Sequence, residues 1–242
     1  MNIDDFVKNE IKKNIDLKYK EFSNKLCMSK YQMLGVRIPL LKNIAKEVSK
    51  SEEFTINKKC EYITSINDNC SFEEVMIKGF IIEYIKELDI KTRLYILEQY
   101  IPYIDNWSVC DSVCANLKFA NKNKEEVFDF LQQYLNSNKE FYQRFLIVVL
   151  MDYYINDKYI DKVLTIYKNI SLKLKEYYSK MSLAWAISKV YIYYKDKALE
   201  FLKNGNLDDF TYNKSVSKIC DSLRVSKQEK DILRNMYRKS KE

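Results

Sequence analysis

The sequence predicts an all-α chain, arranged as a helical-repeat solenoid. Apolar residues recur at a period near 3.6, turn-forming residues are scarce, and the apolar segments follow one another through short polar links. Three Gly and two Pro in 242 residues are too few for the tight turns that a many-stranded fold requires. The β-branched and aromatic residues are plentiful enough to favour strands locally, so propensity does not decide and periodicity does. Read for that period, the chain divides into about ten to twelve amphipathic segments.

The elements follow in order. LGVR at residues 34–37 has the look of a shaped loop. Pro39 then opens a helix, since a proline is accepted in the first turn, and Leu40, Leu41, Ile44, Ala45 and Val48 recur on one side. Further helices are expected from near Phe72 (FEEVMIKGFIIEYIKEL), Ile90, Asn106, Lys124 (KEEVFDFLQQYL) and Lys139. Pairs repeating at roughly 35 to 45 residues suit a HEAT-like solenoid forming one domain over residues 1–242, with a compact helical bundle as the alternative. The absence of a long crossover favours the solenoid, because each pair then packs on its neighbour and the stack curves around a concave face.

Composition narrows the chemistry. A net charge of +7, from 41 Lys plus Arg against 34 Asp plus Glu, suits a polyanionic partner. From Lys214 onward there are nine basic and four acidic residues, which fits either a basic grip or a solvated terminal helix. Six Cys without a CxxC pair, and the polar opening MNIDDFVKNE, give no secretory signal or disulfide framework, so a reducing cytoplasm is expected. The most apolar run, residues 145–151, is far short of the roughly 20 residues that cross a bilayer, so no membrane partner is expected. There is no His, which removes the commonest general base and metal ligand and leaves carboxylates, aromatics, Lys, Arg and Cys. Cys110 and Cys114 are one helical turn apart, but two thiols make a poor metal site, and they read as small core residues with no metal bound.

Three segments could carry chemistry. In IDNWSVCDSVCANLK, Asp105 is a candidate N-cap, which places Trp107 in the first turn and Asp111 one turn later on the same face. Taken alone, the segment reads more readily as a core aromatic beside a solvated or paired carboxylate. In KEFYQRFLIVVLMDYYI, Arg144 interrupts a helix apolar almost all round over residues 141–154. It needs a partner, either a core carboxylate such as Asp111 or a phosphate held by its fork. In KMSLAWAISKVYIYYKDK, Trp185 lies among Ser182, Ala184 and Ala186, small residues that let another surface approach its ring.

Taken together, NKLCMSKYQMLGVRIP, IDNWSVCDS, FYQRFLIVVL, LAWAISKVY and YNKSVSKICDSLRVSKQEKDILR resemble the AlkD-like DNA alkylation repair family over nearly the whole chain. The resemblance implies a right-handed stack of HEAT-like helix pairs whose concave face binds duplex DNA containing alkylated bases. It implies catalytic positions at Trp107, Asp111, Arg144 and Trp185, and glycosylase activity on cationic N3- or N7-alkylpurines without a cofactor. Arg37, Lys214, Lys218 and Arg224 are the expected DNA contacts, and a monomer acting at the nucleoid is the simplest assembly. The sequence departs from the family pattern where a tyrosine lines the site, with Leu26 in its place, and where Asn106 precedes Trp107; both bear on substrate range. A non-catalytic solenoid binding bent or branched DNA, and a protein-interaction scaffold, are the alternative functions.

Overall fold

The computed structural model describes residues 2–239 and is all-helical. The fourteen α-helices among them are α1 (Ile3–Lys13), α2 (Leu17–Leu26), α3 (Ile38–Lys50), α4 (Ile56–Thr64), α5 (Phe72–Tyr84), α6 (Ile90–Tyr100), α7 (Trp107–Cys114), α8 (Lys124–Leu131), α9 (Glu140–Tyr153), α10 (Ile160–Ser171), α11 (Tyr177–Tyr193), α12 (Lys195–Asn204), α13 (Asp209–Asp221) and α14 (Lys227–Arg234). The helices expected from Pro39, Phe72, Ile90, Asn106, Lys124 and Lys139 all begin within a residue or two of those points. Fourteen helices exceed the ten to twelve segments that periodicity separates, since a short helix such as α14, with eight residues, carries barely two turns of pattern. No helix among the described residues is long and apolar enough to cross a membrane.

The chain forms two compact units, Met1–Phe130 and Leu131–Glu242. In the first, α3 packs on α5 and α5 on α7, while α4 packs on α5 and α6. This layering of alternate helices is what a helical repeat requires, and it explains the sequence pattern. Helix α5 is covered on every side and buries eleven of its thirteen residues, whereas α3 buries one stripe, Leu41, Ile44, Ala45 and Val48. In the second unit α11 packs against both α9 and α13, and α9 buries ten of its fourteen residues, again as an apolar run predicts.

Side-chain caps start many of these helices. Thr55, Asp89 and Asp208 each accept a backbone N–H of the first turn. Ser71 with Glu74 and Ser226 with Glu229 form reciprocal capping boxes. The C-termini of α3, α4 and α5 are closed by buried cations from the following helix. Lys59 Nζ donates to Ser49 O at 2.7 Å, and Lys78 Nζ donates to Tyr62 O and, at 3.1 Å, to Ser65 Oγ. Arg93 donates to Ile82 O, to Glu83 O at 3.1 Å, to Ile85 O at 2.6 Å and to Leu88 O at 3.3 Å. Each cation meets the negative end of a helix dipole and satisfies carbonyls that have no partner inside their own helix.

One cap differs from expectation. Asn106, not Asp105, begins α7: its Oδ1 accepts Val109 N–H at 3.0 Å. Asp105 is drawn instead to the chain after α2, accepting Ser29 Oγ–H at 2.8 Å and Lys30 N–H at 2.5 Å. Both residue types cap equally well, and the long-range partners of Asp105 decide between them.

Candidate active site and nucleic-acid interface

The turn from Asn106 into α7 is pinned from both sides. Asn106 Nδ2 donates to Asp105 Oδ1 at 2.6 Å, and Cys27 Sγ–H donates to Asn106 Oδ1 at 3.1 Å. Burial pushes the Cys27 thiol up against an opposing Ser108 N–H, with the carboxylates of Asp105 and Asp111 adding to the rise, so the thiol stays a donor. Trp107, the first residue of α7, donates its indole N–H to Leu26 O at 3.2 Å. The end of α2 is thereby tied to the start of α7.

These ties frame a cleft of about 210 Å³. Trp107, Ser108, Asp111 and Ser112 line it from α7, Phe22 and Leu26 from α2, Met33, Val36 and Ile38 from the loop and the start of α3, and Phe72 and Glu73 from α5. Of its two carboxylates, Glu73 is engaged by backbone: its Oε1 accepts Leu34, Gly35 and Val36 N–H at 3.1, 2.7 and 3.2 Å. The LGVR segment is indeed a shaped loop. Gly35 has φ +102°, and a Cβ there would stand 2.6 Å from both Asp16 O and Lys20 Cβ. Glu73 escaped the sequence reading; its signal is a carboxylate at the start of an otherwise apolar helix. Leu26 lines the cleft beside Trp107.

Arg37, at the mouth of the same loop, pairs with Asp16 at 3.0 Å and lies 4.8 Å from the Tyr19 ring centre. The Tyr19 N–H and the Arg37 guanidinium hold the Asp16 carboxyl below its usual value. Cys110 and Cys114 are fully buried in the core. Among the described residues no three acidic, Cys or His side chains gather as metal ligands do.

The second unit has its own cleft, of about 400 Å³, lined by Trp185, Ser188, Lys189, Ile192 and Tyr193 of α11 and by Lys218, Asp221, Ser222 and Arg224. Three cations face one carboxylate here. Arg224 donates to Tyr193 Oη at 3.2 Å, and that bond, with the Arg224 and Lys189 charges, holds the phenol below its usual value. Trp185, Lys189 and Tyr193 recur at intervals of four, so they share one face of α11. That spacing could have marked Lys189 and Tyr193 in the sequence. Of the expected DNA contacts, Lys218 and Arg224 come together with Trp185. Lys214 stands outside this cleft, 5.8 Å from the Phe210 ring centre. Arg144 is 6% exposed on α9 and donates to Tyr178 O, in the first turn of α11, at 2.7 Å.

The chain is thus an all-helical protein with a tryptophan–carboxylate cleft in one unit and a basic, aromatic cleft in the other. The sequence profile of the DNA alkylation repair enzyme family matches residues 7–219, and the chain belongs to that family. Its role is therefore in DNA alkylation repair, as an enzyme with DNA as its partner. No curated protein matches the sequence closely enough to count as a relative.

Proposed function

We propose that the protein is a DNA glycosylase that removes cationic N3- and N7-alkylpurines from duplex DNA by hydrolysis. The observation that carries this reading is that Trp107 and Asp111, on successive turns of α7, line one cleft. An alkylated purine already bears positive charge, so it needs no strong general acid to leave, and a chain without His is not handicapped. The N9–C1′ bond breaks with its electron pair passing to the purine, which becomes neutral. Positive charge then develops on the deoxyribose, where the Asp111 carboxylate offsets it and the Trp107 ring face favours it. Water adds its oxygen to C1′ and loses a proton, leaving an abasic site and the free base.

Arg144 and Trp185, in the second unit, are further proposed catalytic residues. Lys218 and Arg224 hold phosphates through contacts that ignore base identity. Lys214 and Arg37 are further proposed phosphate contacts, Arg37 by exchanging Asp16 for phosphate. Selectivity then comes from leaving-group lability, and charged lesions are preferred over neutral ones. A single helical-repeat domain over residues 1–242, acting as a monomer, is the arrangement this reading expects. The test is release of 7-methylguanine or 3-methyladenine from methylated duplex DNA, followed by mass spectrometry. No release at enzyme in excess of DNA sinks the proposal, and salt-sensitive binding without release favours the non-catalytic DNA-binding alternative.

A further inference from the structure

The second unit carries a row of aromatic rings apart from its basic cleft. Phe141 of α9, Tyr178 and Tyr177 of α11 and Phe210 of α13 follow one another with ring centres 5.8, 5.2 and 5.8 Å apart. Phe141 and Tyr178 are half-buried, while Tyr177 and Phe210 remain 54% and 37% exposed. The backbone beneath the row is fixed. Tyr178 N–H donates to Glu140 at 2.5 Å, and Tyr178 O accepts from Arg144 at 2.7 Å. The tyrosines are therefore set in place before a ligand arrives, which lowers the entropy cost of binding. Lys214, one turn after Phe210 on α13, stands 5.8 Å from that ring centre, and its ammonium pairs with no carboxylate among the described residues. The carboxylates at the start of α13 are both taken: Asp208 pairs with Lys180 at 3.1 Å and Asp209 with Arg238 at 3.2 Å. Lys175 and Glu176, just before Tyr177, offset each other. Lys218, a further turn along α13, lines the basic cleft, so the rings and that cleft lie along one side of the helix.

We infer that Tyr177, Phe210 and Lys214 form a site for an unpaired nucleotide of DNA, its base against the exposed rings and its phosphate on Lys214. The family's partner is DNA, and only a nucleotide freed from its stack offers a base face to a ring. Bases inside a duplex cover one another, and the duplex presents phosphate and sugar instead. A basic patch alone would grip either form. Exposed rings beside a cation favour the single strand, since stacking there adds to charge. Every base has a π face, so the site tolerates any sequence, and it suits strand ends and gaps where duplex gives way to single strand. Neither ring belongs to the proposed catalytic set. The inference needs only DNA as the partner and does not depend on the glycosylase reading.

The experiment titrates the protein into a fluorescein-labelled oligothymidylate and, separately, into a labelled blunt duplex, and follows anisotropy. Tyr177→Ala and Phe210→Ala are each expected to weaken oligothymidylate binding by about 5-fold or more. Both leave duplex affinity, and base release from methylated blunt duplex, as in the wild type. Lys214→Ala should lower the slope of log affinity against log salt on the oligomer by about 0.7. Tyr177→Trp keeps a ring and keeps the affinity. Because both rings are exposed, alanine spares the core, and melting curves that match the wild type check this. Failure of the wild type to bind oligothymidylate overturns the inference, as do undiminished binding by both alanine variants and losses that are equal on single strand and duplex. Absence of base release from every substrate sinks the glycosylase reading and leaves this site standing.

Discussion

Asp111 stands on the second turn of α7 in a cleft whose other carboxylate, Glu73, is held by three backbone N–H groups. Replacing Asp111 by Asn keeps the shape and removes the charge. Single-turnover base release is expected to fall by about 100-fold or more, with DNA affinity by fluorescence anisotropy largely preserved; undiminished turnover would mean that another group carries the charge. Lys78 shows a different use of burial. Its ammonium, wholly enclosed, is held down to about 8 from an ordinary value of 10.5. Below pH 8 both folded and unfolded chains are protonated there, and the group adds no pH dependence. Between 8 and 10.5 the unfolded chain binds more protons, so stability rises with pH. The phenols of Tyr62, Tyr100 and Tyr167 are raised well above their usual value by burial, and they oppose this above pH 10, where only the unfolded chain loses those protons. Urea midpoints measured from pH 8 to 10 should show the wild type gaining about 2 to 3 kcal/mol on Lys78→Met. Parallel curves would exclude Lys78 as the source.

Helix α2 buries none of its residues, yet it supplies Phe22 and Leu26 to the cleft. It is held by its ends: Trp107 donates to Leu26 O, and Gly35 O accepts Asp16 N–H at 2.9 Å beside its N-cap. Gly35→Ala forces a Cβ into Asp16 O and Lys20 at φ +102°, and about 2 kcal/mol of stability should be lost. Changed fluorescence of Trp107 would report the displaced α2, and an unaltered melting curve would refute the constraint. The buried cations make the neighbouring helices depend on each other in the same way. Arg93→Met leaves the carbonyls at the end of α5 without their donors, and a loss of about 3 kcal/mol is expected in denaturant titrations. A loss under 1 kcal/mol would mean that water replaces the guanidinium. Lys59, Lys78 and Arg93 are written openly in the sequence, but a cation in an amphipathic stretch reads as a solvated side chain until the next helix is placed over it.

DNA binding should draw on the basic cleft through counterion release. Lys218→Ala and Arg224→Ala are each expected to lower the slope of log affinity against log salt by about 0.9, while affecting matched and lesion-bearing duplexes alike. An unchanged slope would remove those residues from the phosphate contacts. The all-helical class, the helix starts from Pro39 to Lys139, the buried character of α9 and the core role of Cys110 and Cys114 are all determined by the sequence alone. They depend on period and on capping chemistry within a few residues, which are local. Tertiary structure alone decided that Asn106 rather than Asp105 caps α7, that Glu73 shapes the loop around Gly35, and that Leu26 and Phe22 share a cleft with Trp107. Leu26 and Trp107 are 81 residues apart and Asp105 and Ser29 are 76 apart. Such pairings follow from which layers stack, and no local pattern encodes them.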